Sequence, residues 1–199
     1  PLVVFYHDGY MRVSMSRYSE KDFKLRTALT NAKVAKQGTD ARGKHDYEAS
    51  KESTRRPFHE LSALVGGTSK LNALRCKIQN ALADIVAATK GAIFDQAAAH
   101  GCVGCFALMG ADFMVGHDGD VYMSEVQSGP GLPMTTATTK AFFHDILPNA
   151  IDLVLEVQDR RVAGMPLWPL EHQGKFQLIV HEGEADVEQG ATLSPACRQ

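Results

Sequence analysis

The sequence predicts an α+β protein in which short antiparallel strands form sheet and long helices pack against it. Three observations point there. Two β-rich stretches, 1–16 and 105–127, are each interrupted by an Asp-Gly pair, which favours a tight hairpin turn. Two further stretches, beginning near Thr68 and Thr136, repeat apolar residues at helical spacing. Glycine and proline clusters at Gly66-Gly67 and Ser128-Gly-Pro-Gly-Leu-Pro133 punctuate the chain between them.

Taken in order, Leu2–Tyr6, Asp8-Gly9 and Tyr10–Met15 read as a first hairpin with opposed residue numbers summing to 17. That register sets Arg12 across from Phe5, on a face with Val3, His7 and Ser14. An arginine so placed can hold phosphates with its planar fork, or equally can snorkel from a sheet edge. Tyr18–Lys36 is short and mixed. Residues 37–60 carry many charges and little apolar periodicity, and read as a mobile loop or insertion. Leu71, Leu74, Ile78, Leu82, Ile85 and Val86 then define a helix capped by Ser69 or Thr68. It ends near Thr89, or runs on toward Gln96 if Gly91 is tolerated. Ala141, Phe142, Ile146, Ile151, Val154 and Leu155 define a second helix, which Pro148 ends or kinks. Arg160 and Arg161 suit its C-terminus, with Gly164 just beyond. Lys175–Val180 reads as an outer strand, followed by an acidic tail.

The second Asp-Gly stretch carries the chemistry. With Asp118-Gly119 as a two-residue type I′ turn, opposed numbers sum to 237. Asp112 then faces Glu125, Met114 faces Met123, and Gly110 faces Gln127. Opposed side chains on one face lie only about 4.5–5.5 Å apart at Cβ. Two carboxylates there repel unless a cation or a shared proton compensates them. Gln127 returns to the same face and can offer an oxygen. Oxygen ligands without histidine favour magnesium or manganese over zinc. A three-residue loop with a bulge would change the count and could turn one acid away, leaving two acids on a solvated edge.

Composition narrows the classes. The 199 residues are 44% hydrophobic and 22% charged, as in an ordinary globular chain. No apolar run reaches membrane-spanning length, and the opening Pro1-Leu-Val-Val-Phe-Tyr lacks a basic leader. That opening reads as a chain cut from something longer, or one whose beginning is not shown. Cys76, Cys102, Cys105 and Cys197 are sparse and unevenly spaced, and read as buried thiols in a reducing compartment. Cys102 and Cys105 have the spacing of half a zinc site or a redox pair, but a second metal-binding half is missing and the surroundings are apolar and glycine-rich. A net charge of −2 gives no general pull toward nucleic acid. Residues 21–56, with ten Lys/Arg against five Asp/Glu, could steer an acidic partner or simply form a solvated loop.

Several motifs now combine. Gly104-Cys-Phe-Ala-Leu-Met-Gly-Ala-Asp-Phe-Met114 followed by Val121-Tyr-Met-Ser-Glu-Val-Gln-Ser-Gly-Pro-Gly131 resembles the C-terminal signature of tubulin–tyrosine ligase-like proteins, roughly cFELfGfDfmld…vwLLEVNssPs. Asp8-Gly-Tyr-Met-Arg12 with Arg17-Tyr-Ser19 resembles the family's dGyvRfs…kYs, and Leu29-Thr-Asn31 the end of its HLTN motif. The resemblance covers about residues 1–160. It implies an ATP-grasp fold, with 1–170 as the C-terminal portion of a ligase domain and 171–199 as an outer strand and acidic tail. It also implies ATP and Mg2+ as cofactors. Asp112 and Glu125 would bind the magnesium ions that bridge the ATP phosphates, with Gln127 standing where the family has a metal-binding Asn. Arg12 would reach the γ-phosphate or an acyl-phosphate intermediate, and Asn31 would lie by the acceptor or the phosphates. Lys33 matches no motif position. The implied substrates are a free amino acid and an acidic polypeptide such as a tubulin C-terminal tail, with no nucleic acid and no membrane. The implied location is cytoplasmic, at the cytoskeleton or in a cilium or flagellum. Gln127 for Asn, Ala28 for the His of HLTN and Ala107 for the Glu of FELfG depart from the pattern. They leave open a degenerate ligase-like domain that binds microtubules or another acidic protein. A different ATP-grasp ligase acting on a small substrate is a third reading.

Overall fold

A computed structural model describes residues 2–21, 29–31, 34, 47–101, 104–182 and 197. The strands are β1 (Val3–Tyr6), β2 (Tyr10–Arg12), β3 (Arg55–Pro57), β4 (Met109–Val115), β5 (Val121–Ser128) and β6 (Gln177–His181). The helices are α1 (Leu61–Val65), α2 (Thr68–Ala99) and α3 (Ala137–Val162). The α+β expectation holds, with the described strands pairing antiparallel as β1–β6, β2–β3 and β4–β5. The chain divides into two compact units. One comprises 1–8, 65–131 and 146–199, the other 9–64 and 132–145.

In the first unit, α2 buries the predicted stripe through Leu71, Leu74 and Ile78, and packs on β5 and β6. It passes through Gly91, so the longer of the two expected ends is the observed one. The helix already begins at Thr68, so the cap position falls to Gly67 and not to Thr68 or Ser69. The Gly67 carbonyl accepts the first helical bond from Leu71 N–H at 3.1 Å. The expected outer strand is β6, whose Ile179 and Val180 enter the core with Tyr6 and Phe176.

The first predicted hairpin does not form. β1 pairs with β6 and β2 with β3, so Arg12 stands opposite Arg55 and not Phe5. The reason lies at Asp8. Its carboxylate grips Arg75 of α2 through two bonds of 2.8 and 2.7 Å and accepts from the Tyr6 hydroxyl at 2.8 Å. A bidentate arginine fixes that residue more firmly than a two-residue turn would. The cysteines also depart from expectation. Cys76 on α2 is bonded to Cys197, 121 residues away, and Cys105 is disulfide-bonded too, so none of the described cysteines is a free thiol. Sequence spacing cannot reveal a pairing across such a separation, and the argument from free thiols to a reducing compartment lapses.

In the second unit, Tyr10 packs edge-on against Phe142 of α3, with ring centroids 5.4 Å apart. Of the segment expected to be mobile, 37–46 lie outside the described residues, as do Ala28 and Lys33. Within 47–60 the chain forms helical turns and β3. Thr136 caps α3, its hydroxyl accepting from Thr139 N–H at 3.2 Å. The helix continues through Pro148 and closes beyond Arg161 with Gly164 at φ +63°. There Met165 N–H bonds to the Arg160 carbonyl and Gly164 N–H to that of Arg161, the paired bonds of a Schellman end. Among the described residues no helix is long and apolar enough to cross a membrane.

One carboxylate ties the 165–174 loop to α3. Burial would push the Glu156 carboxyl up. The N–H groups of Glu171 and His172, together with Arg160, outweigh that and hold it down at about 2 against an ordinary 4.5. The lowered value means stability that is complete above pH 4.5 and lost as pH falls toward 2. Denaturant unfolding followed through that window is expected to show an acid limb that Glu156→Gln flattens.

Candidate functional site

The β4–β5 ladder positions the predicted carboxylates. Asp112 is the partner of Glu125, and Gly110 the partner of Gln127, as the sequence predicts. Nearer the turn the register differs: Phe113 pairs with Met123 and Met114 with Tyr122, not Met114 with Met123. The turn holds three residues, not two. Gly116 N–H bonds to the Asp120 carbonyl at 2.8 Å, Gly119 N–H returns to the Gly116 carbonyl at 3.0 Å, and Gly119 alone of the three takes positive φ, at +81°. This removes one from the expected sum. A bulge between Asp112 and Phe113, with Ser124 as the extra residue, restores it. The two irregularities cancel at the acids.

Successive residues alternate faces, so Gly110 and Asp112 share one face with Gln127 and Glu125. The side chain of Gln127 lies on that face: a Cβ built at Gly110 would meet its Cγ and Nε2, each at 3.5 Å. Glu125 is exposed and Asp112 half-buried. Ser124 ties the bulge by donating its hydroxyl to the Asp112 carbonyl at 3.1 Å. Lys77 of α2 holds the turn from the other end, reaching the Gly119 carbonyl at 2.9 Å and Asp120 at 2.8 Å. A backbone bond from Asp120 N–H keeps the Asp118 carboxyl below its usual range.

Two carboxylates and one amide oxygen on a common open face are the donor set a hard divalent cation takes. The set fits magnesium in its chemistry. Among the described residues no group of three or more His, Cys, Asp or Glu gathers as a metal centre.

Arg12 and Asn31 belong to the second unit. Arg12 ends β2 with an exposed side chain, and Asn31 is exposed in the described segment 29–31. Reading the sequence alone missed Gly110 as the space that admits Gln127, although its pairing with Gln127 was legible. The pairing of Arg12 with Arg55 was not legible either, because β2 and β3 come from segments more than forty residues apart.

A sequence profile of the tubulin-tyrosine ligase family matches residues 1–162. The chain belongs to the tubulin-tyrosine ligase family. Its α+β architecture accords with the ATP-grasp type of that family. Among curated relatives, "Protein polyglycylase TTLL10" of Macaca fascicularis is 27% identical over 191 residues, covering 94% of this chain and 30% of that protein. "Inactive polyglycylase TTLL10" of Homo sapiens is 28% identical over 196 residues, covering 94% and 27%. The Rattus norvegicus "Protein polyglycylase TTLL10" is 24% identical over 197 residues. The chain therefore spans less than a third of the length of these relatives. No solved structure matches it.

A methyl group at position 110 would lie 3.0 Å from Cβ of Pro130 as well as against Gln127. Gly110→Ala is expected to cost about 1–3 kcal/mol by overpacking, measured by denaturant unfolding. Adding Gln127→Ala should recover only part of it, because Pro130 remains.

Proposed function

We propose that this chain supplies the C-terminal portion, residues 1–170, of an ATP- and Mg2+-dependent ligase that joins an amino acid to a carboxylate of an acidic protein. The observation that carries the reading is the Asp112–Glu125 pair with Gln127 on the same face, in a chain of this family. In such a reaction a carboxylate oxygen attacks the γ-phosphorus of ATP and ADP leaves. The amine then attacks the acyl carbon and phosphate leaves. Bound magnesium would neutralise phosphate oxygens and hold them in line. Asp112, Glu125 and Gln127 are the residues proposed to hold it, on a two-stranded ladder fixed by the turn and by Lys77. Arg12 is proposed to meet the charge that develops on the transferred phosphoryl group, and Asn31 to lie by the acceptor or the phosphates. The names of the relatives favour glycine as the amino acid. Tubulin, or another protein with an acidic tail, is the proposed acceptor, at the cytoskeleton.

A second reading has specific support. The human relative is named inactive, and Gln127, Ala28 and Ala107 depart from the family pattern. In that reading the domain binds an acidic protein without modifying it.

Calorimetric titration with a non-hydrolysable ATP analogue separates the two. The ligase reading expects binding that magnesium strengthens roughly tenfold or more, with the magnesium dependence lost in Asp112→Asn and in Glu125→Gln while the fold persists. Binding indifferent to magnesium and to both substitutions would make the binding module the better account.

A further inference from the structure

β2 and β3 set two arginines directly opposite one another. Arg12 is the partner of Arg55, Tyr10 of Pro57 and Met11 of Arg56. Arg12 and Arg55 therefore share a face, while Arg56 points to the other. Like charges directly opposed on a ladder destabilise it unless something compensates them. The two β3 arginines differ in their partners. Arg56 is bridged to Glu60 at 3.0 Å. Arg55 is half-buried and donates from Nη1 to the carbonyl and hydroxyl of Thr54, at 2.8 and 3.3 Å. Among the described residues it meets no carboxylate, and a guanidinium carries five N–H donors. A half-enclosed guanidinium lacking a counter-ion is costly unless a ligand supplies one. Arg55 also lines a small concavity with Leu29, Thr30 and Tyr47. One side chain thus connects the strand position of Arg12 with Leu29 and Thr30, which precede Asn31.

We propose that Arg55 is a second oxyanion-binding residue that acts with Arg12, the two guanidinium forks taking one phosphoryl or carboxylate group. The proposal rests on the ligase reading, and it adds a residue that the motifs do not contain. Planar forks suit both anions, because each presents paired oxygens at matching spacing. The phosphoryl group would come from the nucleotide, the carboxylate from the acidic acceptor.

Calorimetry on the whole chain, with two probes, tests this. The probes are a non-hydrolysable ATP analogue with magnesium and a short glutamate-rich peptide. Arg55→Gln is expected to weaken one of them about tenfold, the scale of a lost charge-assisted bond. Loss on the analogue assigns the phosphoryl group, and loss on the peptide assigns the carboxylate. Arg56→Gln removes the same formal charge and should leave both affinities within about twofold. Arg55→Lys keeps the charge without the fork and should lie between, which preserves the test if the glutamine variant fails to fold. Equal losses from Arg55→Gln and Arg56→Gln would reduce the effect to net charge and overturn the proposal. Weakening by Arg12→Gln but not by Arg55→Gln would overturn it and leave the ligase reading standing. If neither Arg12→Gln nor Arg55→Gln weakens either probe, the ligase reading fails along with it.

Discussion

The period of two along a β-strand is the constraint on which the proposed cation site depends. Each slip of one residue between β4 and β5 would turn Glu125 to the face opposite Asp112. The three-residue turn introduces one such slip, and the bulge at Ser124 takes it back before the acids are reached. Both irregularities have local anchors. Gly119 supplies the positive φ that the turn requires, Lys77 clasps the turn carbonyl, and the Ser124 hydroxyl pins the bulge to the backbone of Asp112. The bonds from Lys77 are solvent-exposed and individually weak. Their effect is on register more than on stability.

The rest of the first unit gives this ladder a firm base. α2 buries its apolar stripe and packs on β5, and the same helix carries Lys77 to the turn and Arg75 to Asp8. One helix therefore fixes both the end of β1 and the tip of the β4–β5 hairpin. The first unit carries Asp112, Glu125 and Gln127 on the β4–β5 ladder, and within the second unit β2 and β3 set Arg12 opposite Arg55.

Local signals in the sequence were reliable where the structure is local. The stripe of Leu71, Leu74 and Ile78, the helix beginning near Thr136 and the glycine beyond Arg161 each follow from residues within a few positions, although the cap expected at Ser69 or Thr68 is not the one used. The Asp112–Glu125 pairing was legible for the same reason, since its strands are joined by a short turn. A two-residue turn and the observed three-residue turn with its bulge give the same partner for Asp112 but different partners for Met114. What could not be read was non-local. Asp8-Gly9 has turn chemistry, yet Arg75 captures Asp8 and β1 finds its partner near the C-terminal end of the described chain. Arg55 and the Cys76–Cys197 bond lay hidden in the same way, because their partners come from distant segments.

Paramagnetic broadening by Mn2+, a stand-in for magnesium with oxygen ligands, tests the central claim most directly. In an NMR titration of the amide-assigned protein with substoichiometric Mn2+, the account predicts that the signals of Gly110, Asp112, Glu125 and Gln127 disappear first. Broadening centred instead on the Asp118–Asp120 turn, or spread evenly over the acidic surface, would contradict it.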